Sequence, residues 1–269
     1  MSAVKCPDGR QFPPRWRRGQ GGYAENTDHF LSVGDPIASG LVSSVNRPEA
    51  NVTGYRISIH PPGTENLELL HELLPSAAVI AVLMNPASPN GARQVNDLQA
   101  AARPFGIQLE TFGARTINEV GEAIQRVAER QIGALLVTAD GFLIGRQDQL
   151  TALAARYSMP AVYPLSQYVA AGGLMSFGPR LSDAFHQTGR YVGQILKGTA
   201  PHDLPVLQAA NFELVINFKT ARSLNLTVPQ SLLQRANEVI ERGVVSSLAA
   251  LVCLLWARPQ NTMSVIGLQ

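Results

Sequence analysis

An unbroken apolar run at residues 79–84 (VIAVLM) and a second buried-strand pattern at 133–138 (GALLVT) constrain this chain more than anything else in it. A strand with one wet face alternates apolar with polar, so a continuous run predicts a strand covered on both faces. Helical spacing surrounds these runs. Leu67, Leu70, Leu73 and Leu74 share one face of residues 65–74, which Pro75 ends; residues 91–105 read as a helix broken near Pro104 and Gly106. In residues 116–130, Val120, Ile124 and Val127 share a face, and Thr116 with Glu119 forms a capping box. Further helices are expected at 146–158, 166–171, 181–197 (closed by Gly198), 218–224 and from 228 to about 241, with strands at 107–112, 161–163, 174–177 and 212–216. Strands alternating with helices of this length predict an α/β fold with doubly wound parallel sheets.

Residues 32–54 stand apart from that rhythm. They hold a turn at Gly34, Asp35 and Pro36, an apolar helix-sized piece over 37–45, and a polar break from Asn46 to Glu49. With Asn51, Val52, Thr53 and Gly54 they read as an exposed sheet edge. The 269 residues suffice for two modest lobes, and 45% hydrophobic with 16% charged residues is the balance of a soluble globular protein. A net charge of +2 without a basic stripe argues against a nucleic-acid partner. The five histidines lack metal-ligand spacing, and Cys6 and Cys253, near opposite ends, give no metal clip or disulfide framework. Residues 1–25 are rich in Gly, Pro, Arg and Gln, read as a loop or disordered leader, and contain no export signal, so the chain as written is expected in the cytoplasm. The apolar run 244–257 falls short of the roughly 20 residues a membrane span needs.

In an open parallel sheet, ligands sit at the carboxyl ends of the strands. The loops at those ends carry Gly34, Asp35, Asn85, Ser88, Asn90, Thr138, Asp140, Tyr163 and Ser176 as candidate ligand-binding residues. Their short polar groups suit an amine, a carboxylate or an amide. Each has a plainer reading: Asp35 and Asp140 as turn residues or helix caps, Tyr163 as a core aromatic instead of a stacking platform. Catalytic readings fail. Residues 173–178 (GLMSFG) lack the Gly-x-Ser-x-Gly of a nucleophile elbow, and neither Gly-x-Gly-x-x-Gly after a strand nor a phosphate loop is present. No cofactor, metal or enzymatic activity is expected.

Several segments, in order, carry a family likeness. They are SVGDPIASGLV (32–42), NRP (46–48), NVTG (51–54), LELL (67–70), AVLMNP (81–86), AAGGLMSFG (170–178), ILKG (195–198) and FELVIN (212–217). Together they resemble the substrate-binding proteins of ABC transporters in the tryptophan- and tyrosine-binding-like group, over roughly residues 32–241. The resemblance implies a two-lobed periplasmic-binding-protein-like fold closing on a small solute, an amino acid or similar, for delivery to an ABC permease and its ATPase. It implies a periplasmic location too. The family's export signal and the opening portion of its first lobe have no counterpart before residue 32, so the first lobe is expected to be incomplete and solute binding weak. The expected division is a leader (1–25), a first-lobe remnant (26–76 and 179–204), a second lobe (77–178 and 205–241) and a tail outside the family (242–269). A ligand-sensing regulatory domain or an enzyme on the same architecture is the alternative.

Overall fold

The computed structural model describes residues 28–32, 36–37, 40–48, 51–57, 64–88, 90–209 and 211–241. The strands gather into two sheets. The larger contains β3 (Val79–Met84), β4 (Gln108–Gly113), β5 (Ala134–Val137), β6 (Ala161–Tyr163), β7 (Met175–Pro179), β9 (Phe212–Asn217) and β10 (Glu238–Ile240), in the order β10-β9-β7-β6-β5-β3-β4. The smaller has the order β1-β2-β8, from β1 (Asp28–Ser32), β2 (Val52–Arg56) and β8 (Leu207–Gln208).

Alternation along the central strands explains why their runs are apolar throughout. Ile80 and Val82 point to one core and Ala81 and Leu83 to the other. The first core is roofed by α1 (Thr64–Leu73), α2 (Gly91–Ala102), α8 (Phe218–Ser223) and α9 (Gln230–Arg235). The second is roofed by α3 (Ile117–Glu129), α4 (Gly141–Ile144), α5 (Gln147–Arg156) and α6 (Ser166–Ala170). Each large aliphatic side chain buried this way contributes about 1.5–3 kcal/mol, and the big sheet has many on both sides. Among the described residues, the small sheet's buried cluster is Tyr55, Ile57, Ala184 and Ala209, against α7 (Leu181–Leu196), smaller than either cluster on the large sheet.

Several expectations are corrected. Residues 40–48 form turns and bends, not a helix: Leu41 and Val42 both donate backbone N–H to Pro36 O, and Gly40 sits at φ 73°. Residues 52–56, expected at an exposed sheet edge, form instead the middle strand of the small sheet, paired with β1 on one side and β8 on the other, with residues 52–55 buried. Helix α1, expected with the first lobe, packs on the large sheet through Leu67, Leu69, Leu70 and Leu73. Residues 207–208, expected with the second lobe, pair with β2 in the small sheet. The sheet is also not wholly parallel, since β7 and β9 run antiparallel. The last helix stops at Arg235, where Ala236 turns extended and Asn237 bonds Leu214 through both its backbone N–H and its side-chain oxygen, starting β10.

Among the described residues, Arg180 after β7 and Asn211 before β9 lie where the chain passes between the sheets, and they are tied together. Arg180 N donates to Asn211 O (3.0 Å), and the Arg180 guanidinium meets Glu213 at 3.2 Å. Asn211 Nδ2 donates to Asp183 Oδ2 at 2.7 Å. Gly178 lies so close to the Pro164 carbonyl that no side chain fits there.

Candidate functional site

The carboxyl ends of β3, β5, β6 and β7 lie side by side, and the residues just beyond β3 and β5 touch. Asn85 Nδ2 donates to Asp140 Oδ1 at 3.1 Å. The same oxygen accepts from Phe142 N (2.9 Å) and Leu143 N (3.4 Å), so Asp140 caps α4. Its second oxygen, Oδ2, carries no hydrogen bond among the described residues. Asp140, a half-buried residue at the sheet's end, thus fills the cap role with one carboxylate oxygen.

The loop holding Asn85 carries several local hydrogen bonds. Ala87 N donates to Asn85 Oδ1 (2.9 Å), Ser88 N to Asn85 O (3.0 Å) and Gly91 N to Ser88 O (3.0 Å). Ser88 and Asn90 are half-buried, and their side chains carry no hydrogen bond among the described residues; Asn90 occupies the N-cap of α2 without using its amide as a cap. Gln94, one turn into α2, reaches across to β5's exit. Its Nε2 donates to Ala139 O (3.0 Å) and Ala139 N donates to its Oε1 (3.1 Å), a two-point clamp that fixes the Asp140 loop. No sequence signal pointed to Gln94, because its partner is backbone in a distant element.

Three other expected residues lie inside the wall instead of on it. Thr138 is buried and spends its hydroxyl on Leu83 O (3.0 Å), pinning β5 to β3. Tyr163 and Ser176 are register partners on β6 and β7, and both are fully buried. The Tyr163 ring stacks on Tyr168, centroids 4.7 Å apart and 13° from parallel, so of its two sequence readings the core aromatic holds. Burial pushes the Tyr163 phenol well above the usual tyrosine range. Burial, then Tyr163, then Asp140 do the same to Tyr168, which places Tyr168 within the field of the Asp140 carboxylate. Gly34 and Asp35 lie outside the described residues.

Beyond the strand ends, Asn66 on α1 makes a second two-point clamp: Nδ2 to Phe177 O (2.9 Å) and Phe177 N to Oδ1 (3.1 Å). It continues the pairing of β7 where β6 has ended. A separate open groove of about 630 Å³ lies against the small sheet, between Asp183, Gln187, Arg190 and Gln194 of α7 and Leu207 and Gln208 of β8. Among the described residues no group of three His, Cys, Asp or Glu is arranged to hold a metal ion, and no helix is long and apolar enough to cross a membrane.

Residues 29–240 match the family described as ABC transporter substrate binding protein. A curated relative, the tyrosine-binding protein of Clostridioides difficile (strain R20291), is 27% identical over 197 residues, which are 73% of this chain and 56% of that one. The chain thus spans little more than half the length of that relative. Among solved structures, a conserved domain protein from Vibrio cholerae is 30% identical with a TM-score of 0.68, covering 76% of this chain and 68% of its own. The ABC domain in complex with L-Trp from Streptococcus pneumonia is 29% identical with a TM-score of 0.69, covering 78% and 71%. The family match covers residues 29–240, most of the chain: this chain belongs to the ABC transporter substrate-binding protein family.

Proposed function

We propose that this chain is the solute-binding component of an ABC importer, that its solute is an amino acid with an aromatic side chain, and that it hands the solute on chemically unchanged to a permease driven by an ATPase. The family's usual place outside the cytoplasmic membrane extends to this protein on the same reading. The observation that carries the proposal is the Asn85–Asp140 pair. Three donors fix one carboxylate oxygen at the strand ends, and the other is left to meet a cation such as the ammonium of an amino acid. Ser88 and Asn90, on the adjoining loop, are placed to hydrogen-bond the solute's carboxylate. The Gly34–Asp35 loop is proposed as the opposing wall, contributed by the small-sheet lobe. Thr138, Tyr163 and Ser176 then act behind the surface, holding the strand ends in register. The relatives named for tyrosine and solved with L-Trp support the aromatic class.

Closure of two lobes on a bridging solute favours the closed state by the difference in affinity between closed and open forms. A screen of amino acids by thermal shift tests the proposal, since a ligand binding only the folded state raises Tm by mass action. Tyrosine and tryptophan at millimolar concentration are expected to raise Tm, and alanine or a hexose to leave it unchanged. The reading fails if a sugar shifts Tm and the aromatic amino acids do not.

A further inference from the structure

The path of the chain between the sheets fixes which of their edges meet. It leaves the small sheet at the carboxyl ends of β2 and β8, Arg56 and Gln208, and next enters α1 and β9 of the large one. It leaves the large sheet at the carboxyl end of β7, where Pro179 is the register partner of Phe212, the first residue of antiparallel β9. The carboxyl edges of the two sheets therefore face each other, and the edge carrying Asn85 and Asp140 is one of them.

Arg56 stands on the other. Its register partners are Ser32 of β1, two residues before Gly34, and Gln208 of β8, and its carbonyl accepts from Ala209 N at 3.0 Å. Tyr55 and Ile57 belong to the buried cluster under α7, so by strand alternation Arg56 faces the other side of the sheet, away from Asp183. The residue is half-buried; its Nε is enclosed without a hydrogen-bond partner, and its guanidinium makes no ion pair among the described residues. Arg180, the neighbouring cation at the crossing, is by contrast spent on Glu213 at 3.2 Å. Withdrawing a charge from water without a counter-charge is costly, and such groups gather where a ligand supplies the missing partner.

We propose that Arg56 is the anchor for the solute's carboxylate on the small-sheet lobe, so that the two charges of a zwitterion are held by opposite lobes, the ammonium at Asp140 and the carboxylate at Arg56. The inference rests on the solute-binding reading above and names the group that reads the acid end. A guanidinium meets both carboxylate oxygens in parallel, while Ser88 and Asn90 add neutral hydrogen bonds from the large-sheet side. Asp140 follows β5, two strands from β7, which is about 10 Å at the usual strand spacing. An arginine side chain and the backbone of an amino acid span that gap together. Closure then senses the whole zwitterion: an amine without the carboxylate occupies the Asp140 side and leaves the lobes undrawn.

The test compares L-tyrosine with tyramine, which keeps the ring and the ammonium and lacks the carboxylate. Affinity is read by calorimetry and closure by small-angle X-ray scattering. The parent chain is expected to bind tyrosine at least about tenfold more tightly than tyramine, as one charge-assisted pair predicts, and to contract on tyrosine alone. Arg56→Gln is expected to bring tyrosine down to the affinity of tyramine and to leave tyramine unchanged; Arg56→Lys keeps part of the preference. A glutamine variant that weakens both ligands equally overturns the inference, because Arg56 then serves only the packing of the site. Tyrosine binding unchanged in that variant overturns it too. So does a parent chain that contracts equally on tyramine, whatever the variants do. A parent that binds neither tyrosine nor tryptophan overturns the proposed function and this inference together, whereas binding of both that is indifferent to Arg56 removes this inference alone.

Discussion

Asp140 has a structural duty and a proposed binding duty, and they separate chemically. The cap needs only an acceptor for Phe142 N and Leu143 N, which an amide oxygen also provides. The binding duty needs the charge. Asp140→Ala is therefore expected to cost about 1–2 kcal/mol of stability in urea unfolding, the usual range for a lost cap with further bonds attached. Asp140→Asn is expected to cost less than about half of that while removing the aromatic amino-acid effect on Tm. An alanine variant as stable as the parent would show that the cap contributes nothing. The residue's role was half legible in the sequence: an Asp followed by Gly at a strand exit reads as a cap or a ligand contact, and it is a cap with one oxygen to spare. Tyr163 was ambiguous for the opposite reason. An aromatic residue at a strand end looks the same in sequence whether it points to solvent or, as here, stacks on Tyr168 under α6.

At the scale of elements, the most informative device is Asn66. One side chain satisfies both the N–H and the C=O of Phe177 and fixes α1 to β7 across 111 residues of sequence. Asn66→Ala leaves both groups without their partner and is expected to cost about 1–3 kcal/mol. Chemical unfolding should show it as a lower midpoint at unchanged slope; a change in slope alone would count against the clamp. Such clamps, with Gln94 as the second, escape sequence reading because nothing local distinguishes the asparagine or glutamine that makes them. Local devices were legible. Thr116 accepts from Glu119 N at 3.3 Å as the capping box predicts, although the returning carboxylate of Glu119 takes Arg115 N instead of the cap's own. The strands at 79–84 and 134–137 were legible because cover on both faces forbids polar interruption. Strand β2 was not, because Thr53 and Gly54 look like turn formers although both are buried. Thr53 instead holds Leu204 O through its hydroxyl at 2.7 Å.

For the whole molecule, the unequal size of the buried clusters described on the two sheets sets a gradient of stability. Local opening is easiest where few apolar groups are buried. Amides of β3, β5 and β6 are expected to exchange only through global unfolding. Those of β1, β2 and β8 are expected to exchange at least about tenfold faster, through opening of the small sheet alone. Residue-resolved hydrogen exchange checks this, and equal protection in both sheets would contradict it.

The order of the chain through the two sheets also carries a time. Tyr55 of β2 finds its β8 partner only at Leu207, 152 residues later, because the chain builds most of the large sheet before returning to the small one. At a synthesis rate of about 5–20 residues per second, β2 leaves the ribosome roughly 8–30 s before the strand that completes it. During that interval the edge of β2 that β8 covers in the fold is open, and an unpaired strand edge is a template for pairing with other chains.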